Sequence, residues 1–224
     1  NVDLYPILES AYWITYDSHG GTYTAAEFFR VGSNTEAPAE PTRPGYTFEG
    51  WYTDVELTQL YTFGSPLSAG IMLYAKWGEN EVNYTMIYWV EALDSNKNYV
   101  AGNYEYKASQ NLQATVDSKV SIDAANVGQS YAYYTFDHGD QNVTIEGDGR
   151  TVVNAYFRLN TYTFIFNLDD VTGTSTRTST LTIGGSAYTT SNSYSITVHY
   201  GENIASRWPT AGNISTVVSN TGIA

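Results

Sequence analysis

The 224-residue chain reads as mainly β, a tandem series of small modules in an elongated array, and three observations carry that reading. First, one punctuation recurs at LYPILESAYWITYDSHGG from Leu4, LYAKWGENEVNYTMIYWVEA from Leu73 and VNAYFRLNTYTFIFNLDD from Val153. In each, a short apolar strand ends and, after a brief polar link, a strand with Tyr or Trp near its start begins. Superposed, Leu4, Leu73 and Val153 share a position, then Pro6, Ala75 and Ala155, then Leu8, Trp77 and Phe157, each step two residues on. This period of two gives each closing strand one apolar face. Second, the strands between these points are rich in Tyr and are bounded by Gly and Asn turn signals. Third, links as short as Gly78–Val82 and Arg158–Thr161 leave little slack between modules. The repeat spacing of about 70 to 80 residues suits small domains rather than solenoid turns.

Taken in order, residues 1–10 read as the closing strand of a preceding module, 11–79 as module one, 80–159 as a divergent related module, and 160–224 as a third, incomplete one. Module one opens with the strand Tyr12–Tyr16, a turn at His19–Gly21 and a second Tyr-rich strand, which together make a hairpin. Proline donates no ladder hydrogen bond, so the segment holding Pro38, Pro41 and Pro44 is expected to be a surface crossover. The strand Tyr46–Thr53 follows, with a bulge at Gly50 that lets both Phe48 and Trp51 reach apolar surroundings. Ile71, Leu73 and Ala75 form the apolar face of the closing strand, which Trp77 ends as a buried anchor. Module two keeps the outline: strand Tyr84–Val90, turn Asn96–Asn98, a short helix or crossover over Lys119–Asn126, strand Tyr131–Phe136, and turn Glu146–Thr151. Module three opens at Tyr162–Asn167, has a hairpin about Gly184 and Gly185 and a strand Ser193–Tyr200, and then GENIASRWPT as the start of a crossover. After Pro209 there is one short apolar run, Thr216–Val218, so the chain is expected to stop inside this module.

Between Ile14 and Trp77, the order PTRPGYTFEGWYTD (Pro41 to Asp54) and then LYAKW (Leu73 to Trp77) resembles the Listeria–Bacteroides repeat, the internalin-type B-repeat of bacterial surface proteins. The resemblance implies β-grasp-like modules strung along secreted or cell-surface proteins. It implies an extracellular spacer or adhesive repeat and no active site.

Composition agrees. Cysteine is absent, so no disulfide or thiolate metal site can staple modules of marginal size, and five Trp, 21 Tyr and 8 Phe must supply the buried surface. The formal charge of −13 has no basic cluster against it, which excludes nucleic acid and anionic lipid surfaces as partners. No run approaches the roughly 18 apolar residues of a membrane span. The first residues, NVDLYPILES, lack the regions of a signal peptide, and no sorting signal ends the chain, so an exported protein would hold this chain as an internal piece.

Chemistry is sparse. His19, His138 and His199 fall in different modules, and no nucleophile elbow, phosphate loop or zinc motif is present, so no catalytic residue, cofactor or metal is expected. Asp137, His138 and Asp140 sit on a turn where Asp and Gly serve the backbone. Glu146–Arg150 lacks the ligand alternation of a calcium loop. Tyr104, Tyr106, Tyr131, Tyr133 and Tyr134 alternate in strands beside Asp and Asn, which suits glycan stacking on Tyr104, Tyr106, Tyr131 and Tyr133; the other account is rings that cover a sheet while their hydroxyls reach water. Trp208, beside Pro209, looks free to join a glycan. Lys107 and Asn154 could form an isopeptide bond with Glu105 or Glu146 as the acid, against the ordinary role of strand lysines as edge charges.

The expected function is a non-enzymatic extracellular repeat region of a bacterial cell-surface protein, secreted and anchored to the cell wall through a region outside this chain, acting as stalk or spacer. The alternatives are a carbohydrate- or mucin-binding adhesion module and an accessory region of a secreted glycan-degrading enzyme. Expected partners are host or cell-wall glycans or a surface protein, with no membrane insertion by this segment.

Overall fold

A computed structural model describes residues 8–168, 171–172, 175–189 and 192–219. Its regular structure is β1 (Ala11–Asp17), β2 (Glu27–Arg30), β3 (Tyr46–Tyr52), β4 (Ile71–Glu79), β5 (Glu81–Leu93), β6 (Tyr99–Thr115), β7 (Lys119–Val120), β8 (Tyr134–Gly139), β9 (Val143–Thr144), β10 (Val152–Leu159), β11 (Thr161–Phe166), β12 (Val171–Thr172), β13 (Ser175–Ile183), β14 (Ser186–Tyr188), β15 (Tyr194–His199) and β16 (Ile214–Ser219), with one 3-10 turn at Ala211–Asn213. The protein is mainly β. The described residues of Asn1–Met86, Ser109–Ser121 and Asp140–Val153 form one compact unit, and those of Ile87–Ala108, Ile122–Gly139 and Asn154–Ala224 form a second.

In the first unit a four-stranded sheet has the order β2-β1-β4-β3. Its central pair, β1 and β4, is parallel from Ile14↔Ile71 to Asp17↔Tyr74, and both flanking pairs are antiparallel. Alternation turns Ile14, Leu73 and Ala75 inward, where they are fully buried with Trp51, and Tyr16, Phe29, Phe48 and Trp77 pack around them. Phe48 and Trp51 lie an odd number of residues apart and would face opposite sides of a regular strand. The bulge between Phe48 and Gly50, with Gly50 at φ 118°, puts both on the core. The segment with Pro38, Pro41 and Pro44 carries no strand, as expected. Two details differ. β2 is a short EFFR strand with no tyrosine. Trp77 is half-buried at the rim of the core, because its indole N–H reaches out to donate to the Ser18 carbonyl at 2.9 Å.

In the second unit, parts of β6, β5 and β10 continue with β8 as a sheet of order β6-β5-β10-β8, with β8 antiparallel to β10. Tyr88, Val90, Phe157 and Leu159 are buried on one face with Ile122 and Val127. The strand expected at Tyr131–Phe136 begins only at Tyr134: Tyr133 is left-handed at φ 69°, and the Tyr134 N–H turns back onto the Tyr131 carbonyl at 3.2 Å. Of Lys119–Asn126, Lys119 and Val120 form β7. The rest is a turn in which the Asp123 carboxylate accepts the Ala125 N–H at 2.8 Å, and no helix forms. β11 pairs antiparallel with β15, from Thr161↔His199 to Phe166↔Tyr194. Gly184 and Gly185, at φ 55° and 81°, make the two-residue turn between β13 and β14. The tail beyond Pro209, expected to offer one short apolar run, forms β16 and pairs with β13.

One construction repeats. A single residue, Asn80, separates β4 from β5, and a single residue, Asn160, separates β10 from β11. The Asn80 N–H donates to Gly45 O at 3.0 Å, its Oδ1 accepts the Thr47 hydroxyl at 3.0 Å, and its carbonyl accepts the Val116 N–H at 3.0 Å. The Asn160 N–H donates to Tyr133 O at 2.8 Å, its Oδ1 accepts the Thr135 hydroxyl at 2.6 Å, and its carbonyl accepts the Tyr200 N–H at 2.9 Å. Ser10, just before β1, accepts the Val31 N–H in the same way at 3.0 Å. In all three, the residue after the donor is left-handed: Gly32, Asp117 and Gly201 at φ 89°, 61° and 78°.

Candidate functional site

Alternation sends Trp89 of β5, Tyr104 and Tyr106 of β6, and Tyr156 of β10 to the side of the second unit's sheet opposite the Tyr88 and Phe157 core. There the rings engage one another. Tyr156 lies nearly parallel to Trp89 (15°, 6.5 Å) and to His138 (12°, 4.5 Å), while Tyr104 stands edge-on to Tyr156 at 5.0 Å and Tyr106 edge-on to Trp89 at 6.3 Å. Parallel rings on neighbouring strands stand upright, so their faces meet each other instead of solvent. The Trp89 indole N–H donates to Asn154 Oδ1 at 2.8 Å. Asp137 gathers the row's polar ends: its Oδ2 meets His138 Nδ1 at 2.8 Å and accepts the Tyr104 hydroxyl at 3.3 Å, and its Oδ1 is 3.9 Å from Arg158. Burial, then the nearby charges of Asp137 and Glu91, push the Tyr104 hydroxyl up to about 12.

Beside this row is a groove of about 690 Å³ lined by Glu91, Tyr99, Thr135, Asp137, Arg158, residues 159–162 and His199. Glu91 is only 5% exposed. Its carboxylate accepts the Tyr99 hydroxyl at 2.8 Å and the Leu159 N–H at 2.9 Å. Held in this way, the Tyr99 ring stacks on His199 with centroids 3.4 Å apart. The bond to Glu91 is the main reason the Tyr99 hydroxyl is raised above the ordinary tyrosine value. His199 is fixed in turn by Glu202, which accepts its backbone N–H at 2.9 Å and also pairs with Arg207 at 2.7 Å.

The five residues expected to stack on glycans are not brought together. Tyr104 and Tyr106 stand edge-on to Tyr156 and Trp89, and Tyr106 is exposed. Tyr131 packs on Phe157 at 5.0 Å on the core side, with its hydroxyl buried. Tyr133 lies flat on Tyr200 at 3.8 Å beside the Asn160 junction. Trp208 is edge-on to Phe164 and Phe166 at 5.4 and 5.0 Å. Lys107 and Asn154 are also apart: β5 lies between their strands, and the Lys107 ammonium sits 5.7 Å from the Tyr131 ring on the face opposite Trp89 and Asn154. The Tyr134 hydroxyl is raised, chiefly by burial. Among the described residues no group of three or more His, Cys, Asp or Glu is placed to hold a metal ion. Sequence reasoning gave no site role to Glu91, Tyr99, Tyr162, His199 or the two junction asparagines. The asparagines carried a signal, since each lies the same step beyond Leu73 or Val153 in the superposed segments. Ser10 falls one residue short of the register that superposing Leu4 on Leu73 gives.

The first unit holds a mixed β sheet with a parallel central pair, and one residue joins β4 to β5. Residues 12–76 match the family model of the Listeria–Bacteroides repeat domain. Two curated relatives from Evansella cellulosilytica carry names that describe them as membrane proteins, the second as Gly-rich. They are 36% and 35% identical over 83 and 82 residues, about 36% of this chain in each case. The matched region spans only 12% and 10% of their length. No helix among the described residues is long and apolar enough to cross a membrane.

Proposed function

We propose that this chain is a non-enzymatic repeat region of a bacterial cell-surface protein, a spacer whose β-grasp-like modules transmit tension while other parts of the parent protein anchor it and act. The repeated junction carries the reading: Asn80 and Asn160 each bond both to the strand start behind them and to the strand end ahead of them. A pull along the chain loads those bonds together, which suits a tether. The strand order with its parallel central pair supports the β-grasp-like assignment, and the repeat match and the names of the relatives support a place at the cell surface.

Single-molecule pulling tests this. Asn80→Pro and Asn160→Pro, which remove the junction N–H donors, should each lower the unfolding force, whereas Asn80→Ala and Asn160→Ala keep the main-chain bonds and should change it less; unchanged force traces in both Pro variants would remove the junction from the mechanism. Adhesion is the second reading, favoured by one observation, the polar groove beside Tyr99 and Arg158.

A further inference from the structure

We propose that the groove of the second unit binds a short neutral oligosaccharide, with the Tyr162 ring as its stacking surface and Arg158, Asp137 and Asn160 as its hydroxyl-binding groups. The inference is independent of the spacer reading and would add a ligand to it.

The concavity comes first. A row of tyrosines does not make a site, but a cleft of about 690 Å³ lies within the range of small-ligand clefts. Tyr162 is 44% exposed and lines it. Unlike Trp89, Tyr156 and Tyr99, it stacks on no other ring among the described residues, so its face can meet the apolar face of a sugar ring.

The polar groups are of the kind a sugar needs. Arg158 is well exposed and only loosely paired with Asp137, at 3.9 Å, so its fork of donors is open to vicinal hydroxyls while Asp137 accepts. Thr135 takes up Asn160 Oδ1, which directs the amide nitrogen away as a donor. Part of the lining is held rigidly: buried Glu91 clamps Tyr99 and the Leu159 N–H, and Tyr99 lies flat on His199. A wall held by a buried carboxylate positions its neighbours with little loss of freedom on binding.

Charge decides the class. The chain carries −13, and Glu91 and Asp137 stand in the groove against Arg158, so an anionic sugar meets a repelling field. A neutral glycan meets hydrogen-bonding groups and an open ring without that penalty.

The test is a nitrogen-15 NMR titration of the whole chain with neutral trisaccharides (cellotriose, maltotriose and N,N′,N″-triacetylchitotriose) at millimolar concentration, with sialyllactose as the anionic probe. At least one neutral trisaccharide should shift the amides of Asn160, Thr161 and Tyr162, and Tyr162→Ala should weaken that binding by about tenfold. Arg158→Gln, on an exposed side chain, serves as a second variant should Tyr162→Ala lose its fold, and should weaken it likewise. Silence with all three neutral sugars, shifts that persist in both variants, or sialyllactose binding as tightly as the neutral sugars would each overturn the proposal. None of these outcomes alters the pulling experiment, so the two readings fail separately.

Discussion

The β-carbon that Gly21 lacks would lie 2.3 Å from Cζ2 of Trp77. Between Ser18, which accepts the indole N–H, and Gly21, whose own N–H returns to Ser18 O at 2.9 Å, the HGG turn is a seat shaped for this indole. Glycine is needed at position 21 for a close approach and not for its backbone angle. Gly21→Ala should therefore cost about 1–3 kcal/mol by overpacking, read as a lower urea midpoint. A midpoint like that of the parent would show that the turn yields freely.

Trp77→Ala removes a ring that touches Phe48 at 5.4 Å and borders the first unit's core. Because the ring is half-buried, the loss should fall near the lower end of the usual range for large aromatic truncations, about 3 kcal/mol. Combining it with Gly21→Ala should give less than the sum of the two, since both act on one contact. Strict additivity would mean that they do not communicate.

Gly147 meets the chain at a tighter place. Its missing β-carbon would sit 2.0 Å from the Pro44 carbonyl oxygen, and Pro44 is backbone that cannot rotate aside. Beside it Arg43 lies over the Tyr46 ring at 3.7 Å, and the Tyr46 hydroxyl bonds Asp117. Gly147→Ala should destabilise the first unit more than Gly21→Ala does, with early hydrogen exchange at Tyr46 and Val116. Protection equal to wild type at those amides would contradict the packing described.

Alkaline pH should reach Tyr104. The folded state holds its proton more tightly than the unfolded chain does, because of burial and the adjacent Asp137. The stability this group contributes is thus complete below the ordinary value of 10.0 and is lost as the pH rises toward about 12. Tyr104→Phe should flatten that part of the profile of melting temperature against pH; an identical alkaline slope in the variant would assign the loss elsewhere.

The acid side belongs to Asp54, whose carboxylate accepts the Thr58 and Gln59 N–H groups and is held below its ordinary value, first by the Thr58 N–H. The sign is opposite: its contribution is present above 3.8 and fades as the pH falls through the lower folded value. The difference in melting temperature between wild type and Asp54→Ala should be full at neutral pH and close in acid. A difference that stays constant with pH would show that the turn does not depend on the carboxylate charge.

Much of the fold was legible because it is written in local chemistry. Gly50 marked a bulge, the prolines marked a crossover, and alternating Ile71, Leu73 and Ala75 marked a buried face. What was not legible depended on distant partners. Tyr131, Tyr133 and Trp208 read alike as strand or loop aromatics, yet one lies on a core, one on Tyr200 and one against two phenylalanines. Glu91 looked like any strand carboxylate until folding brought Tyr99 and Leu159 to it. The candidate groove depends on such meetings, which no spacing within one strand announces.

The left-handed residues after each junction donor, Gly32, Asp117 and Gly201, have an evolutionary corollary. Two of the three contacts that tie each asparagine use only main-chain groups of its partners, which every residue except proline possesses. A gene encoding such a joint can duplicate a cassette, or exchange one for a diverged copy, without first evolving a matched pair of side chains. The joint asks of its neighbour only a strand that ends and then turns left, so the strands on either side can diverge without losing the tie.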